Sequence, residues 1–272
     1  MSEAPPLRFE NVTVAFDNVT ALDEVSFTLP TGETRILFGE AGSGKTILLK
    51  AALGLVPIDA GRIFVFGEDI SRLPEKRLFE VRSKIGMLFQ ESALFDSLTI
   101  EENVAYPLEN QKSIVCDPAE KSRRVRDSLK FVDLPGTLTK FPSELSGGMR
   151  RRAAIARAVV TEPPLLLYDS PTAGLDPITA QTIITLIVKQ RDVSNTTTMI
   201  VTHRYLNGHL LANYGYDRDT GAIEPQIAQG FPRRATTKFL GFRAGKLVFE
   251  GTQAQIEASD DAYVRKFVKF NG

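Results

Sequence analysis

The stretch Gly39-Glu40-Ala41-Gly42-Ser43-Gly44-Lys45-Thr46 constrains the fold of this chain more than any other. It matches G-x-x-x-x-G-K-[ST]. A short apolar strand, Thr34 to Phe38, precedes it, and a helical pattern from Lys45 to about Leu53 follows. Glycines let successive backbone N–H groups turn inward and cradle phosphate oxygens. The next helix aims the positive end of its dipole at the same point. In such a loop Lys45 is expected to reach the β- and γ-phosphates, and the Thr46 hydroxyl to ligate Mg²⁺. The pattern arises by chance in roughly one chain of this length in a hundred. The flanking strand and helix weaken the bland alternative, a glycine turn before a helix.

Composition sets the limits around that loop. A length of 272 residues allows one large domain or two small ones, with a core that needs no staples. Hydrophobic residues at 43% and charged residues at 24% are ordinary for a folded soluble protein. Lys plus Arg (33) equals Asp plus Glu (33), which argues against a nucleic-acid partner. Cys116, the one cysteine, cannot form an intramolecular disulfide, so a reducing compartment is expected. The longest stretches free of Asp, Glu, Lys and Arg are 12 residues, for example Pro177 to Val188. A membrane-spanning helix needs ~20 apolar residues. The N-terminus shows no signal-peptide pattern. A soluble, intracellular, globular protein is the expectation.

Strand and helix patterns then alternate. Leu7 to Phe16 and Val25 to Leu29 read as strands, as do Ile63 to Phe66, Ile85 to Phe89, Leu165 to Tyr168 and Thr198 to Thr202. A helix is expected over about Ile178 to Arg191. Alternation of this kind implies a mostly parallel sheet in an α/β fold. From about 91 to 158 the chain is charge-rich and helix-like, and reads as an inserted helical subdomain. The core and a β subdomain are expected over about 1–90 and 159–258, with a hairpin at Phe239–Phe242 and Leu247–Phe249. A final helix is expected over about 260–270. The segment from Tyr205 to Lys238 shows no clear periodicity.

Four further features carry chemistry. Leu145-Ser146-Gly147-Gly148-Met149 leads into a helix with Arg150, Arg151 and Arg152, a second candidate anion site. Its bland alternative is Ser146 capping a surface helix with solvated arginines. The apolar strand Leu165 to Tyr168 ends in Asp169, where P-loop NTPases place an Mg²⁺-coordinating carboxylate; a plain turn Asp is the alternative. Gln90 and His203 each follow a strand, and either alone reads as an ordinary strand-end residue.

In order and spacing these features resemble the nucleotide-binding subunit of an ABC transporter, over residues 8 to 252. The resemblance implies a P-loop NTPase (RecA-like) core with an N-terminal antiparallel β subdomain and an inserted α-helical subdomain. It makes Gly39 to Thr46 the phosphate loop and Gln90 the Q-loop. Leu145 to Met149 becomes the signature, Asp169 the end of Walker B, Ala173-Gly174-Leu175-Asp176 the D-loop and His203 the switch histidine. It implies ATP and Mg²⁺ as ligands, with Gly39, Gly42, Ser43, Gly44, Lys45 and Thr46 on the phosphates and Thr46, Gln90 and Asp169 around the metal. Phe16 falls where the family stacks an aromatic on adenine; a strand-core role is the alternative. It further implies that two copies pair head to tail, so that each ATP lies against Ser146, Gly147, Gly148 and Asp176 of the other chain. The dimer is then expected to drive an integral-membrane permease.

The chain departs from the family after Walker B. The family carries Glu there as general base, and this chain has Ser170. A hydroxyl does not accept a proton usefully at neutral pH, and loss of a general base costs ~10²–10⁴ in rate. Slow hydrolysis, a partner subunit that retains the Glu, and a replacement made to trap ATP are the three readings. Gly86 to Gln90, Ala93 to Thr99, Glu102 to Leu108, Met149 to Arg152 and the tail Ser259 to Phe267 resemble ATPases of Mce-type (Mla, toluene-tolerance) lipid transporters. That resemblance implies hydrophobic cargo, a Mce-type partner and a peripheral place on the cytoplasmic face of the inner membrane. The stretch between His203 and Gly245 is longer than the family's usual connection, so an extra hairpin is expected, as surface elaboration or partner contact. Asp217 to Gly221 hints at a calcium loop, but Ala228 holds the twelfth position, so it reads as a hairpin turn. The aromatic face of the last helix is expected to pack on a neighbour, the dimer mate being one candidate.

Overall fold

The computed structural model describes residues 4–17, 19–111, 114–225 and 236–269. The chain opens with β1 (Leu7–Phe16) and β2 (Val19–Leu29), paired antiparallel with Leu7 opposite Leu29 and Phe9 opposite Phe27. Leu7, Phe9, Val12 and Val14 face inward from β1, and the Phe9 and Phe27 rings stack at 4.8 Å. β3 (Thr34–Gly39) is apolar from Ile36 to Phe38 and runs through the centre of the molecule. The phosphate loop follows it, and α1 (Lys45–Ala52) follows the loop. β4 (Ala60–Val65) and β5 (Glu68–Asp69) complete an antiparallel sheet in the order β2-β1-β4-β5.

α2 (Glu75–Arg82) was not visible in the hydrophobic pattern, because it is mostly charged and buries only Leu78 and Val81. After β6 (Ile85–Leu88) come α3 (Ile100–Asn110), α4 (Pro118–Phe131) and α5 (Gly147–Val159). Each begins on a side-chain cap. Thr99 and Glu102 form a capping box, Asp117 accepts from the Glu120 N–H with Pro118 following it, and Ser146 accepts from the Met149 N–H. Val104, Leu108, Val125, Leu129 and Ile155 share the core between these helices.

β7 (Leu165–Asp169), α6 (Pro177–Ser194) and β8 (Thr197–Val201) return to the centre. α7 (Tyr205–Asn213) occupies the start of the segment that showed no periodicity. It buries Asn207 beside Leu210 and Leu211 and exposes Leu206, so its inner face is not an apolar stripe. β9 (Tyr214–Tyr216) and β10 (Ile223–Pro225) form the extra hairpin. Asp217 makes its turn, taking the Gly221 N–H on its carbonyl and the Asp219 N–H on its carboxylate. The rest of that insertion, 226–235, lies outside the described residues, as does position 270 of the expected last helix.

β11 (Thr237–Arg243) and β12 (Lys246–Gly251) form the expected hairpin, followed by α8 (Gln253–Glu257) and α9 (Ala262–Lys269). The second sheet runs β12-β11-β3-β8-β7-β6 and is parallel except at β12. Parallel strands share one carboxyl edge, so the loops after β3, β6, β7 and β8 converge there. The aromatic face of α9 packs on its own chain. Phe267 stacks on Phe38 of the same chain at 4.3 Å. Among the described residues no helix is long and apolar enough to cross a membrane.

Candidate functional site

A cleft of about 500 Å³ opens at that carboxyl edge. Ala41 to Ile47 form its floor, Gln90, Ser170 and His203 line it, and Val19 to Ala21 with Ala244 and Gly245 form the rim. Four separate loops thus meet where the sequence placed the phosphate loop, the Q-loop, the Walker B end and the switch histidine.

The floor is built for an anion. α1 starts with no side-chain cap and no acid in its first turn, so its N–H groups are left for another acceptor. Gly44 sits at φ 103, and a Cβ there would lie 2.2 Å from the Ala21 carbonyl oxygen. Only glycine permits that approach. The Lys45 ammonium is folded onto its own loop, donating to the Gly39 carbonyl at 3.0 Å, the Glu40 carbonyl at 2.7 Å and the Ser43 hydroxyl at 3.0 Å. Burial pulls Lys45 down to about 8, against the charges of Asp169 and Glu40. A cation carried at such a cost, and held only by neutral oxygens, is suited to an incoming phosphate.

His203 Nδ1 lies 3.2 Å from the Gly39 carbonyl. A carbonyl only accepts, so Nδ1 carries the proton in this contact. Burial lowers the His203 pKa, and the Lys45 charge adds to the effect. Asp169 is buried at the end of β7, and the Ser170 hydroxyl donates to it at 3.4 Å. Ser170 has φ 48, which aims its side chain into the cleft, and its N–H bonds the Val201 carbonyl at 3.2 Å. The Asp169 carboxylate and the Thr46 hydroxyl are hard oxygen donors, the set that Mg²⁺ takes beside phosphate oxygens.

Phe16 ends β1 opposite Val19 with 45% of its surface exposed, so it is not a core residue. The Ser146–Gly148 turn does not line the cleft. Ser146 is the helix cap of the bland reading, yet the two glycines differ. A Cβ on Gly148 would strike Thr179 at 2.5 Å, whereas one on Gly147 would meet only ordinary contact with Leu175. A side chain at 148 would thus have to displace the Thr179 methyl, while packing leaves Gly147 unexplained. Asp176 caps α6, accepting from the Thr179 N–H at 3.0 Å, and those bonds lower its pKa.

The arginines after the signature all bond to backbone, although Arg150 stays exposed and Arg152 half-buried. Arg150 donates to the Leu145 carbonyl at 2.6 Å, and Arg152 to the carbonyls of Val132 and Asp133. Arg151 is buried and donates to the carbonyls of Phe89, Gln90 and Ala173, joining α5 to the loops after β6 and β7. Arg157 holds the next residues, donating to Ala93 at 2.7 Å and Ser92 at 2.9 Å. Burial lowers both guanidinium groups. Asn207 does similar work from α7, donating to Thr172 at 2.8 Å and Thr202 at 3.2 Å. Sequence reasoning missed these clamps because their acceptors are mostly backbone carbonyls, which every residue carries.

A phosphate loop, a buried Walker B carboxylate and a converging Gln and His on one parallel edge define a nucleotide-binding domain of the P-loop class. The chain matches the ABC transporter family over residues 22–173 and belongs to it. It is 33% identical over 264 residues to the intermembrane phospholipid transport system ATP-binding protein MlaF of Haemophilus influenzae, covering 97% of this chain and 90% of that protein. It is 37% identical over 201 residues to the probable ribonucleotide transport ATP-binding protein mkl of Mycobacterium bovis, covering 72% of this chain. With the methionine import ATP-binding protein MetN of Corynebacterium efficiens it shares 40% over 202 residues, again 72% of this chain. The chain spans only 54% and 55% of those last two proteins. Among solved structures it resembles the dimeric ATP-binding cassette MJ0796 bound to ADP and Pi. There the TM-score is 0.74 at 26% identity, covering 90% of this chain and 98% of that one.

Proposed function

We propose that this chain is the ATPase subunit of a transporter that moves phospholipid or another hydrophobic cargo across a bacterial envelope. The observation that carries this reading is the similarity to MlaF over nearly the whole of both chains. The mkl and MetN similarities stop well short of that span. The subunit works at the cytoplasmic face of the inner membrane, beside a permease and a Mce-type lipid-binding protein. A domain division into a core with β subdomain (about 1–90 and 159–258) and a helical subdomain (about 91–158) goes with this reading.

ATP would lie with its phosphates on the N–H groups of Gly42 to Thr46 and on Lys45, and with its base against Phe16. Mg²⁺ would be held by Thr46, Asp169 and Gln90, and supplies charge neutralisation at the phosphates. Lys45 exchanges its loop carbonyls for phosphate oxygens, and neutral His203 orients water or phosphate from the opposite wall. The Ser146–Gly148 turn lies away from its own cleft, which supports a head-to-tail pair in which it and Asp176 close the second copy's site. Arg151 and Arg157 grip the Phe89–Ala93 backbone from α5, so movement at Gln90 is carried into α3–α5 and on to the permease.

Ser170 favours a second reading for the chemistry, an ATP-driven dimerisation switch with little turnover. Affinity purification from membranes with mass spectrometry tests the transport assignment. Recovery of a permease with a Mce-type protein is expected. Recovery of an amino-acid or nucleotide importer would overturn the lipid reading, and recovery of ribosomes or DNA the transport reading.

A further inference from the structure

α9 docks on the outer rim of the phosphate loop. In the parallel ladder of β11 and β3, Phe242 stands opposite Gly39. At Glu40 the chain turns away, so its N–H leaves the ladder. Tyr263 spans the gap. Its hydroxyl accepts from the Glu40 N–H at 2.9 Å and donates to the Phe242 carbonyl. One oxygen thus continues the ladder by one bridge, at the point where the loop begins. Phe267 stacks on Phe38 just before the loop, and Lys266 reaches the Glu40 carboxylate at 3.0 Å. That ion pair is exposed and contributes little. The hydroxyl bridge and the aromatic stack hold the helix.

α8 grips the opposite wall. Tyr205, two residues beyond His203, donates to Glu257, and Gln253 links the same carboxylate oxygen at 2.8 Å to His209 Nδ1 at 2.8 Å. The Tyr205 ring meets Phe267 edge-on at 5.8 Å. The two helices therefore form one body that touches both the loop of Lys45 and the helix after His203.

We propose that α8 and α9 form a brace for the nucleotide site, in which Tyr263 positions the phosphate loop and the Tyr205–Glu257 bond positions the His203 segment. This rests on the ATP reading above. When Lys45 turns toward a phosphate it releases Gly39, Glu40 and Ser43, and the loop loses its inner support. The Tyr263 bridge lies on the outer side and stays in place. Its loss therefore weakens the bound state most.

The test uses the full-length chain with Tyr263→Phe and Tyr205→Phe, measuring binding of a fluorescent ATP analogue, KM, kcat and thermal melting. Tyr263→Phe is expected to raise Kd and KM about fivefold, with kcat within about twofold. Tyr205→Phe is expected to lower kcat about fivefold with Kd unchanged. Both variants are expected to melt within about 5 °C of wild type, because each removes one hydroxyl and the two hydrogen bonds it makes. Wild-type affinity in Tyr263→Phe, or equal shifts of Kd and kcat in both variants, overturns the proposal. A wild-type chain that does not bind the analogue rejects the ATP reading, and the proposal with it.

Discussion

Ser170→Glu would supply the group that this cleft lacks for activating water. The backbone already bears the demand of that position. Ser170 is a non-glycine residue at φ 48, and its N–H is paired with the Val201 carbonyl, so a glutamate meets no new backbone strain. Its side chain would enter the space that Gln90, Lys45 and His203 line. There the new carboxylate faces Asp169. At ~5 Å and an effective dielectric of ~20 the repulsion is ~3 kcal/mol. That raises the new group above the ordinary Glu range, while the Lys45 ammonium and a bound Mg²⁺ oppose the rise. A carboxylate shifted toward neutrality is a better base for water, and a gain of ~10²–10⁴ in kcat is expected, or ~3–5 kcal/mol off the barrier.

Steady-state ATP hydrolysis by the purified protein measures this, with Ser170→Gln as a same-shape control that cannot take a proton. Glu is expected to accelerate turnover and Gln to leave it at the wild-type level. The Glu variant should also lose its gain as pH falls and its carboxylate protonates. A Ser170→Glu chain that binds ATP normally and hydrolyses it no faster than wild type would refute the reasoning. Equal acceleration by Gln would refute it as well, because shape rather than basicity would then be limiting.

Other outcomes follow from the same geometry. Lys45 sits at about 8, so free protein loses the ammonium as pH rises through that value and must regain a proton to hold phosphate. ATP affinity is therefore expected to fall by up to ~10-fold per pH unit above 8, and titration calorimetry should show a weaker dependence in Lys45→Arg, which keeps its charge. The stability sign is opposite. Below pH 8 the full cost of burying the charged lysine is present, and it is relieved as pH rises from about 8 toward the ordinary lysine value, which urea unfolding across that window would detect. His203→Ala is expected to lower kcat ~10²-fold with ATP affinity little changed, read by single-turnover hydrolysis. Arg151→Met leaves the Phe89, Gln90 and Ala173 carbonyls without their donor and should cost ~2–4 kcal/mol of stability in urea.

What the sequence disclosed, it disclosed locally. A glycine loop between strand and helix fixes its own geometry through φ values and one lysine, so Gly39 to Thr46 is legible from spacing alone. Asp169, Gln90 and His203 were legible as strand ends, and the parallel order of β6, β7, β8 and β3 brings them to one edge. The elements that escaped do not obey a hydrophobic period. α2 is too charged, and α7 buries an asparagine to reach Thr172 and Thr202. The arginines of α5 were invisible as clamps for another reason. Arg151 and Arg157 bind carbonyls some sixty positions away in the chain, at Phe89, Gln90, Ala93 and Ser92.

The clamps have consequences for coupling. Asp169, Gln90 and His203 sit at or just after strand ends. Side chains from other segments link the loops that carry them. Arg151 touches the loop after β6 and the loop after β7 at once, and Asn207 touches the segments after β7 and β8. A displacement of any one loop must therefore be felt by its neighbours, because each clamp has a buried donor that is costly to leave without its acceptors. Substituting a strand-end residue such as His203 should change one step of the cycle. Substituting a clamp such as Arg151 should change the dependence of one site on another, which on the proposed transport function appears as lost stimulation of hydrolysis by the partner subunits rather than as a lower basal rate.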